Sequence, residues 1–439
     1  MSFKLLLLSS SLNLLFVSSA YAYIDPGTIS IIFQGIVGAI VAGGVALKIY
    51  WHKFKTFFSK KKKIKQIKNL INKFKNFFLS LNTLVELKNI KPKFVFFSEN
   101  KSYQKYSKPI IDVLCEEHPG KIYYFSIDKN DKINDKRVKN YFIDYYLIKF
   151  FFNNINAENV FLTLTDLDNH FIKKTSKVNK YIYYFHSPIS TTKSYTPKAF
   201  DNYDVIFCNG NFQIEEIKTR ENLKKLHKKV LIPTGYFYLD LLIENIDYKK
   251  NINAILIAPS WNYELKNFIN ENFIELINTL LKKNQKVIFR PHPEHYKRSK
   301  KILEIIKKKF INKNFQFDES SENLESMEKA KCLITDSSGI AIEYIMTLKR
   351  PVLYLDEFDK IHNTEFDDYD NLKTIDAKIK ENFGYLFKKE DFNQIDNIID
   401  RSIEDFKNKL PNLDAFTNEN FANFGKTKSY LKQNLKKIF

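Results

Sequence analysis

Three short stretches carry side chains whose types and spacing suit the handling of phosphate esters. The first is Thr335-Asp336-Ser337-Ser338-Gly339, which follows the apolar run Cys332–Thr335 and leads into a helical pattern from Ile340 to Leu348. The first amides of a helix have no intrahelical partner, and the helix dipole adds positive potential there, so phosphate is attracted. Ser337 or Ser338 can cap this helix and leave other amides and a hydroxyl free. Gly339 lets backbone approach a ligand closely. An ordinary helix cap is the plainer alternative for this motif taken alone. The second stretch is Arg290-Pro291-His292-Pro293, at the end of the run Lys286–Phe289. Arg290 and His292 can both contact a diphosphate, and two prolines stiffen the loop that holds them. A salt-bridged loop is the alternative. The third is Phe185-His186-Ser187-Pro188-Ile189-Ser190-Thr191, closing the run Tyr181–Phe185. A histidine on such a loop can act as general base towards an acceptor hydroxyl, or can be merely structural. His292 and His295 could suggest a metal site, but Pro293 lies between them and no carboxylate pattern completes a ligand set. Thr234-Gly235-Tyr236 and Pro259-Ser260-Trp261 are weaker loop signals.

These residues need rigid elements to bring them together. After Pro92 short continuous apolar runs alternate with longer helical stretches. Strands are expected at Phe94–Ser98, Ile122–Ser126, Val160–Leu164, Tyr181–Phe185, Val205–Cys208 and Val230–Ile232. A second series runs through Ala254–Ala258, Lys286–Phe289, Phe315–Phe317, Cys332–Thr335 and Val352–Leu355. Continuous rather than alternating apolar character implies strands covered on both faces, hence parallel sheets flanked by helices. The fold class expected is therefore α/β, with two doubly wound Rossmann-like domains joined near 236–252. Each candidate motif falls at a strand's carboxyl end, where ligands bind in such sheets. His186 in the first domain would then face Arg290, His292 and the Ser-Ser-Gly helix start in the second across one cleft. The donor diphosphate would sit on the second domain and the acceptor on the first, the layout of a two-domain glycosyltransferase-type (GT-B) fold. Neither a glycine-rich dinucleotide fingerprint nor a P-loop is present, which argues against an NAD enzyme or a kinase.

In combination the motifs resemble the CDP-glycerol glycerophosphotransferase family, the teichoic-acid polymerase and primase group. The matching residues are His186 with its loop, Thr234-Gly235-Tyr236 with Asp240, Ala258-Pro259-Ser260-Trp261, Arg290-Pro291-His292-Pro293 and Thr335-Asp336-Ser337-Ser338, followed by Glu343 and Arg350-Pro351-Val352. The resemblance covers about residues 92–400. It implies that His186 is the base on the acceptor hydroxyl and that Arg290, His292, Ser337, Ser338 and Gly339 hold the donor phosphates. Thr234, Gly235, Ser260, Asp336 and Glu343 are further cleft candidates. Attack at the distal phosphorus would release CMP, with no cofactor required and no obligatory metal. The chain departs from the family pattern at Phe185 and Ser187-Pro188, where a Trp and Gly-Thr are usual. It also lacks the aromatic usually found between the Asp and the paired serines, and the basic residue expected after Ser260-Trp261. Two other readings stay open: a nucleotide-sugar glycosyltransferase of the same fold, and a catalytically degenerate membrane scaffold for surface-polysaccharide synthesis.

The N-terminal residues bear on location. Leu5 to Val17 is an apolar core, and Ala20-Tyr21-Ala22 is a small-x-small cleavage site, so 1–22 reads as a signal peptide. Thr28 to Leu47 has no charged residue over twenty positions and is expected to form a transmembrane helix within 28–50. Between Lys48 and Val85 there are eleven lysines and no acidic residue, which by the positive-inside rule puts the rest of the chain in the cytoplasm. The expected location is the bacterial inner membrane, with one span and cytoplasmic catalytic domains. The opening Tyr23-Ile24-Asp25-Pro26-Gly27-Thr28 also resembles a small group of bacterial membrane segments. Residues 51–91 read as a basic amphipathic helix on anionic lipid headgroups or against the first domain. Gly35, Ala39 and Gly43 share one face of the span and could pair two copies into a homodimer. No nucleic-acid-binding signature accompanies the lysines. The domains expected are then 92–240 on the acceptor side, 250–405 on the donor side, and a helical tail at 406–439, with a lipid-linked or glycan acceptor as partner. Cys115, Cys208 and Cys332 are isolated, as suits reduced, buried thiols.

Overall fold

An apolar run flanked by polar turns is stable only if both its faces are covered, and the chain meets that demand twice. The computed structural model describes residues 61–87, 90–170, 172–261, 269, 271–311, 313–320, 322–356, 360–369 and 371–439. The expected signal at 1–22, the span at 28–50 and its pairing stripe lie outside the described residues. Among the described residues no helix is long and apolar enough to cross a membrane. The chain divides into two compact units, Met1–Lys75 and Asn76–Phe439, and both sheets belong to the second.

The first sheet contains β1 (Phe94–Ser98), β2 (Ile122–Ser126), β3 (Val138–Phe142), β4 (Ala157–Leu162), β5 (Val178–Tyr184), β6 (Val205–Phe207) and β7 (Val230–Ile232). All pair parallel in the order β3-β2-β1-β4-β5-β6-β7. The second contains β8 (Ala254–Ile257), β9 (Lys286–Phe289), β10 (Phe315–Phe317), β11 (Ala330–Thr335), β12 (Val352–Leu355) and β13 (Gly384–Phe387). It is also wholly parallel, in the order β10-β9-β8-β11-β12-β13. Each sheet reverses its winding once, between β1 and β4 and between β8 and β11. Crevices at the carboxyl ends of those pairs are the natural ligand sites of such sheets. Buried apolar clusters cover both faces of each sheet. All three cysteines are free and buried in them.

The helix Lys61–Leu87 docks its second half on the first sheet. Phe77, Leu81, Leu84 and Leu87 sit against the cluster that includes Val95 and Val160, and the Ser80 hydroxyl accepts the Asp144 N–H at 2.8 Å.

The end of the chain is a returning strap rather than an appended tail. The helix Ile395–Asn420 places Ile395 and Ile399 in one cluster of the second sheet and Phe406 and Leu413 in the other. Phe421 then meets Phe212, and the helix Thr427–Ile438 buries Leu431 and Ile438 against the first sheet. Asp240 pins this crossing: its carboxylate accepts from Gly425 N, Thr427 N and Thr427 Oγ1 at 2.7–2.8 Å. Gly235 lies beneath it at φ +86°, where a Cβ would come 2.2 Å from the Ala422 carbonyl oxygen. A side chain there is excluded both by backbone conformation and by space.

Candidate active site

The carboxyl end of β5 delivers His186 into a box of three tyrosines. The rings of Tyr103, Tyr106 and Tyr195 stand edge-on to the imidazole, with centroids 5.6, 6.1 and 6.4 Å away. The buried Nδ1 of His186 has no hydrogen-bond partner among the described residues. Burial first, and then the Lys105 ammonium, pull its pKa down to about 4. At neutral pH the ring is therefore uncharged and able to take a proton.

His292 caps the short helix Pro293–Arg298. Its Nδ1 accepts the Glu294 N–H at 3.2 Å, so the neutral ring carries its proton on Nε2. The side chain is exposed to water, with charged groups around it. Burial, followed by Lys360, His295, His186 and Lys297, holds its pKa at about 3. A neutral Nε2–H can donate to a phosphate oxygen without bringing a charge that must be desolvated. His186 is among the groups whose charge holds the His292 pKa down, so the two histidines, one from each sheet, lie within electrostatic reach.

The helix Gly339–Leu348 starts at the second sheet's switch point. Ser338 occupies its N-cap position, yet its side chain makes no capping bond. The expectation that a serine hydroxyl caps this helix is thus not met at Ser338; the Ala341 N–H donates to the Ser338 carbonyl at 3.0 Å, and no side chain caps the amides before it. The first domain comes close here. A Cβ on Gly339 would lie 2.2 Å from Ser187 Oγ and 3.3 Å from Ile189 Cγ2. Gly339 therefore makes room for the loop that carries His186, and this approach sets base and helix start side by side.

Other expected site residues brace the cleft. The Asp336 carboxylate accepts Ser260 N at 2.8 Å and Ser260 Oγ at 2.6 Å, tying the ends of β8 and β11 together. His295 Nε2 lies 3.1 Å from the Ser260 carbonyl and reinforces the same joint. Arg290 pairs with Asp318, and its guanidinium also donates to Ser320 Oγ at 3.0 Å and Ser320 O at 2.9 Å. The salt-bridged loop is therefore present at Arg290, while Nε and one Nη2 hydrogen remain uncommitted among the described residues. Glu343 is buried at the cleft floor. Burial raises its pKa, and it meets Tyr236 OH at 3.0 Å and Asn323 Nδ2 at 2.9 Å. Tyr236 OH is also 3.0 Å from the His186 carbonyl. The phenol has one proton for these two acceptors, so a single hydroxyl links Glu343 to the His186 backbone. Thr234 and Gly235 lie under the C-terminal strap and not in the cleft. The Thr234 hydroxyl faces the carbonyls of Gly235 and Cys208 at 3.1 and 3.4 Å. Among the described residues no cluster of three His, Cys, Asp or Glu could hold a metal ion.

The structure adds site residues that the motifs did not name. Glu216 accepts Thr191 N and Oγ1, both at 2.6 Å, and burial pushes its pKa up to about 7. Asp376, on the second domain's helix Ile375–Phe383, accepts Ser190 N at 3.1 Å. Two carboxylates, one from each domain, thus fix the loop that follows His186. Lys105, Tyr103 and Tyr106 come from the segment after β1. That segment had no recognisable motif, but it leaves a strand at a switch point, and sheet order alone would have drawn attention to it.

The chain matches the family model described as CDP-glycerol:poly(glycerophosphate) glycerophosphotransferase over residues 80–414. No curated protein matches it in sequence. Among solved structures, the wall teichoic acid polymerase TagF is similar at 17% identity with a TM-score of 0.55, over 86% of this chain and 97% of that one. A TagF variant soaked with CDPG gives 18% and 0.53 over 86% and 97%. The Methanocaldococcus jannaschii UDP-GlcNAc 2-epimerase with UDP-GlcNAc and UDP gives 15% and 0.50 over 79% and 100%. Identities this low establish the fold alone: α/β with parallel sheets and GT-B-like neighbours. The family match carries more, because it takes in both sheets and every cleft residue described above; on that ground the chain belongs to the CDP-glycerol:poly(glycerophosphate) glycerophosphotransferase family and is a transferase of that kind.

Proposed function

We propose that this protein moves glycerol phosphate from CDP-glycerol to a hydroxyl of a lipid-linked or surface-glycan acceptor at the cytoplasmic face of the bacterial membrane. The observation that carries the reading is an uncharged, unpartnered His186 facing a helix start whose amides no side chain caps. The acceptor hydroxyl gives its proton to the His186 imidazole as its oxygen attacks the distal phosphorus. A new phosphoester bond forms, the bridging P–O bond breaks, and CMP leaves. Charge on the phosphate oxygens is met by the helix amides, the hydroxyls of Ser337 and Ser338 and the Nε2–H of His292. No step calls for a cofactor or a metal. A donor panel tests the assignment. Purified protein with acceptor is expected to release CMP from CDP-glycerol. Turnover of a nucleotide sugar with no CMP from CDP-glycerol overturns it in favour of a glycosyltransferase, and no turnover of any donor favours a scaffold.

The membrane part of the proposal rests on the run of lysines before residue 76 and on exposed apolar side chains beyond it. Phe78 and Val85 on the helix, and Tyr145, Tyr146 and Phe150 on the turn that Ser80 ties to it, face water. Exposed side chains of this kind, in a chain whose sequence carries a cationic run before them, suit an anionic headgroup layer. In fractionated cells the full chain is expected in membranes and should resist alkaline carbonate. Recovery in the soluble fraction, or complete release by carbonate, would refute a span.

A further inference from the structure

The cleft holds a cation that none of the site motifs supplies. Lys105 is the second residue of the helix Gln104–Glu117, just beyond β1 at the first sheet's switch point. Its ammonium lies over the face of Tyr238, 4.4 Å from the ring centroid, and 5.2 Å from that of Tyr106. The Tyr238 hydroxyl, at 3.3 Å, is its one hydrogen-bond partner among the described residues. An ammonium has three donors, so two are unused. No ion pair forms among the described residues, although Glu343 and Glu322 are near enough to favour its charge, while Arg290 opposes it. Lys229, a buried lysine of the same domain, is treated differently: it has Glu221 at 3.4 Å. A cation held by two ring faces and one phenol is incompletely satisfied, and removing it from water has a cost that an anion would offset. The same ammonium is close enough to His186 to oppose its protonation, and the His186 loop touches the helix start at Gly339.

We propose that Lys105 is a donor-binding residue that the first domain contributes to the diphosphate held on the second. The diphosphate would then bridge the sheets, with the Ser337-Ser338 helix start on one side and Lys105 on the other. Donor binding would draw the acceptor-side domain onto the donor. This rests on the glycerophosphotransferase reading for the identity of the donor, but not for the anion itself.

The test is binding of CDP, inorganic pyrophosphate and cytidine to the full chain, measured by calorimetry. Lys105→Met is expected to weaken CDP and pyrophosphate by at least about tenfold, since a charged hydrogen bond is lost, and to leave cytidine unchanged. Lys105→Arg should restore most of the loss. Lys108→Met, at an exposed lysine paired with Asp112, should change nothing. If Lys105→Met fails to fold, Lys105→Gln carries the same test, because it removes the charge but keeps a donor for Tyr238. A folded Lys105 variant that binds CDP and pyrophosphate like the unaltered protein overturns the proposal. Lysine-dependent CDP binding without any transfer of glycerol phosphate overturns the functional reading and leaves the anion site standing. Failure of the unaltered protein to bind CDP or pyrophosphate overturns both.

Discussion

His186→Ala lowers CMP release from CDP-glycerol by about 10²–10⁴-fold, the range for loss of a positioned general base, while CDP binding changes by no more than a few-fold. The split follows from where the ring sits. His186 is delivered by the first sheet and boxed by Tyr103, Tyr106 and Tyr195. Ser337, Ser338 and His292 come from the second sheet, and Lys105, from the first, is held by Tyr238 and Tyr106 rather than by the imidazole. Removing the imidazole therefore takes away the proton acceptor and leaves the anion site in place. Loss of CDP affinity in proportion to loss of rate would instead make His186 a donor ligand. An unchanged rate in a folded variant would end its role as base. Steady-state CMP release and calorimetry on the same preparation separate these outcomes.

The same residue sets a pH dependence whose sign is fixed. Burial and Lys105 depress the folded-state pKa of His186 to about 4, below its ordinary value. An ordinary histidine protonates near pH 6.5, so as pH falls below that value the unfolded chain gains a proton that the folded one refuses. Stability from the neutral ring is complete above about pH 6.5 and is lost as pH falls towards 4. His292 adds a loss of the same sign, discounted because its side chain is exposed to water.

Much of this arrangement was legible in the sequence, and the reasons for success and failure are physical. Phe94–Ser98, Ile122–Ser126, Lys286–Phe289 and Val352–Leu355 fall where continuous apolar runs placed them, because strands buried on both faces admit little else. β3 and β13 escaped that reading. Both are edge strands: Lys139 and Asn140 interrupt the first, and the second has only Tyr385, Leu386 and Phe387 between Gly384 and a pair of lysines, too short a run to stand out. In the cleft, residues in short motifs were found: His186, His292 and the Ser337-Ser338-Gly339 turn. Lys105, Glu216 and Asp376 were not, because their spacing to their partners exists only in the folded chain: Asp376 reaches across the domain boundary to Ser190, and Glu216 reaches Thr191 from a separate helix of the same domain. Arg290 and Asp336 had the right chemistry for a ligand site, yet Asp318 and Ser260 engage them. Residue type could suggest that they belong at the cleft but not which neighbour would claim them. Thr234 and Gly235 showed the opposite failure. Their loop signal was real, but it served the crossing of the C-terminal strap, which no local pattern announces.

Substituting Ser337 and Ser338 together by alanine is expected to lower kcat by about 10²–10³-fold, with thermal stability nearly unchanged. Serine at a helix N-cap normally contributes about 1 kcal/mol by accepting an amide hydrogen bond. Here Ser338 makes no such bond, so its removal should cost the fold little. The helix amides that a capping side chain would have occupied remain, and so does the helix dipole. The double variant therefore keeps part of the anion site and loses the two hydroxyl donors that can follow the phosphate oxygens as charge builds on them. Such donors act most strongly in a cleft from which water is largely excluded. The effect should fall on kcat more than on KM, because the extra charge appears in the transition state. A double variant that loses several degrees of thermal stability but keeps its rate would show the serines to be ordinary capping residues. One whose KM rises while kcat holds would show them to be ground-state ligands only. Combining the pair with His292→Ala sharpens the result. If all three groups stabilise the same phosphate, the triple variant should lose less than the product of the separate losses, since groups that act as a unit are not additive.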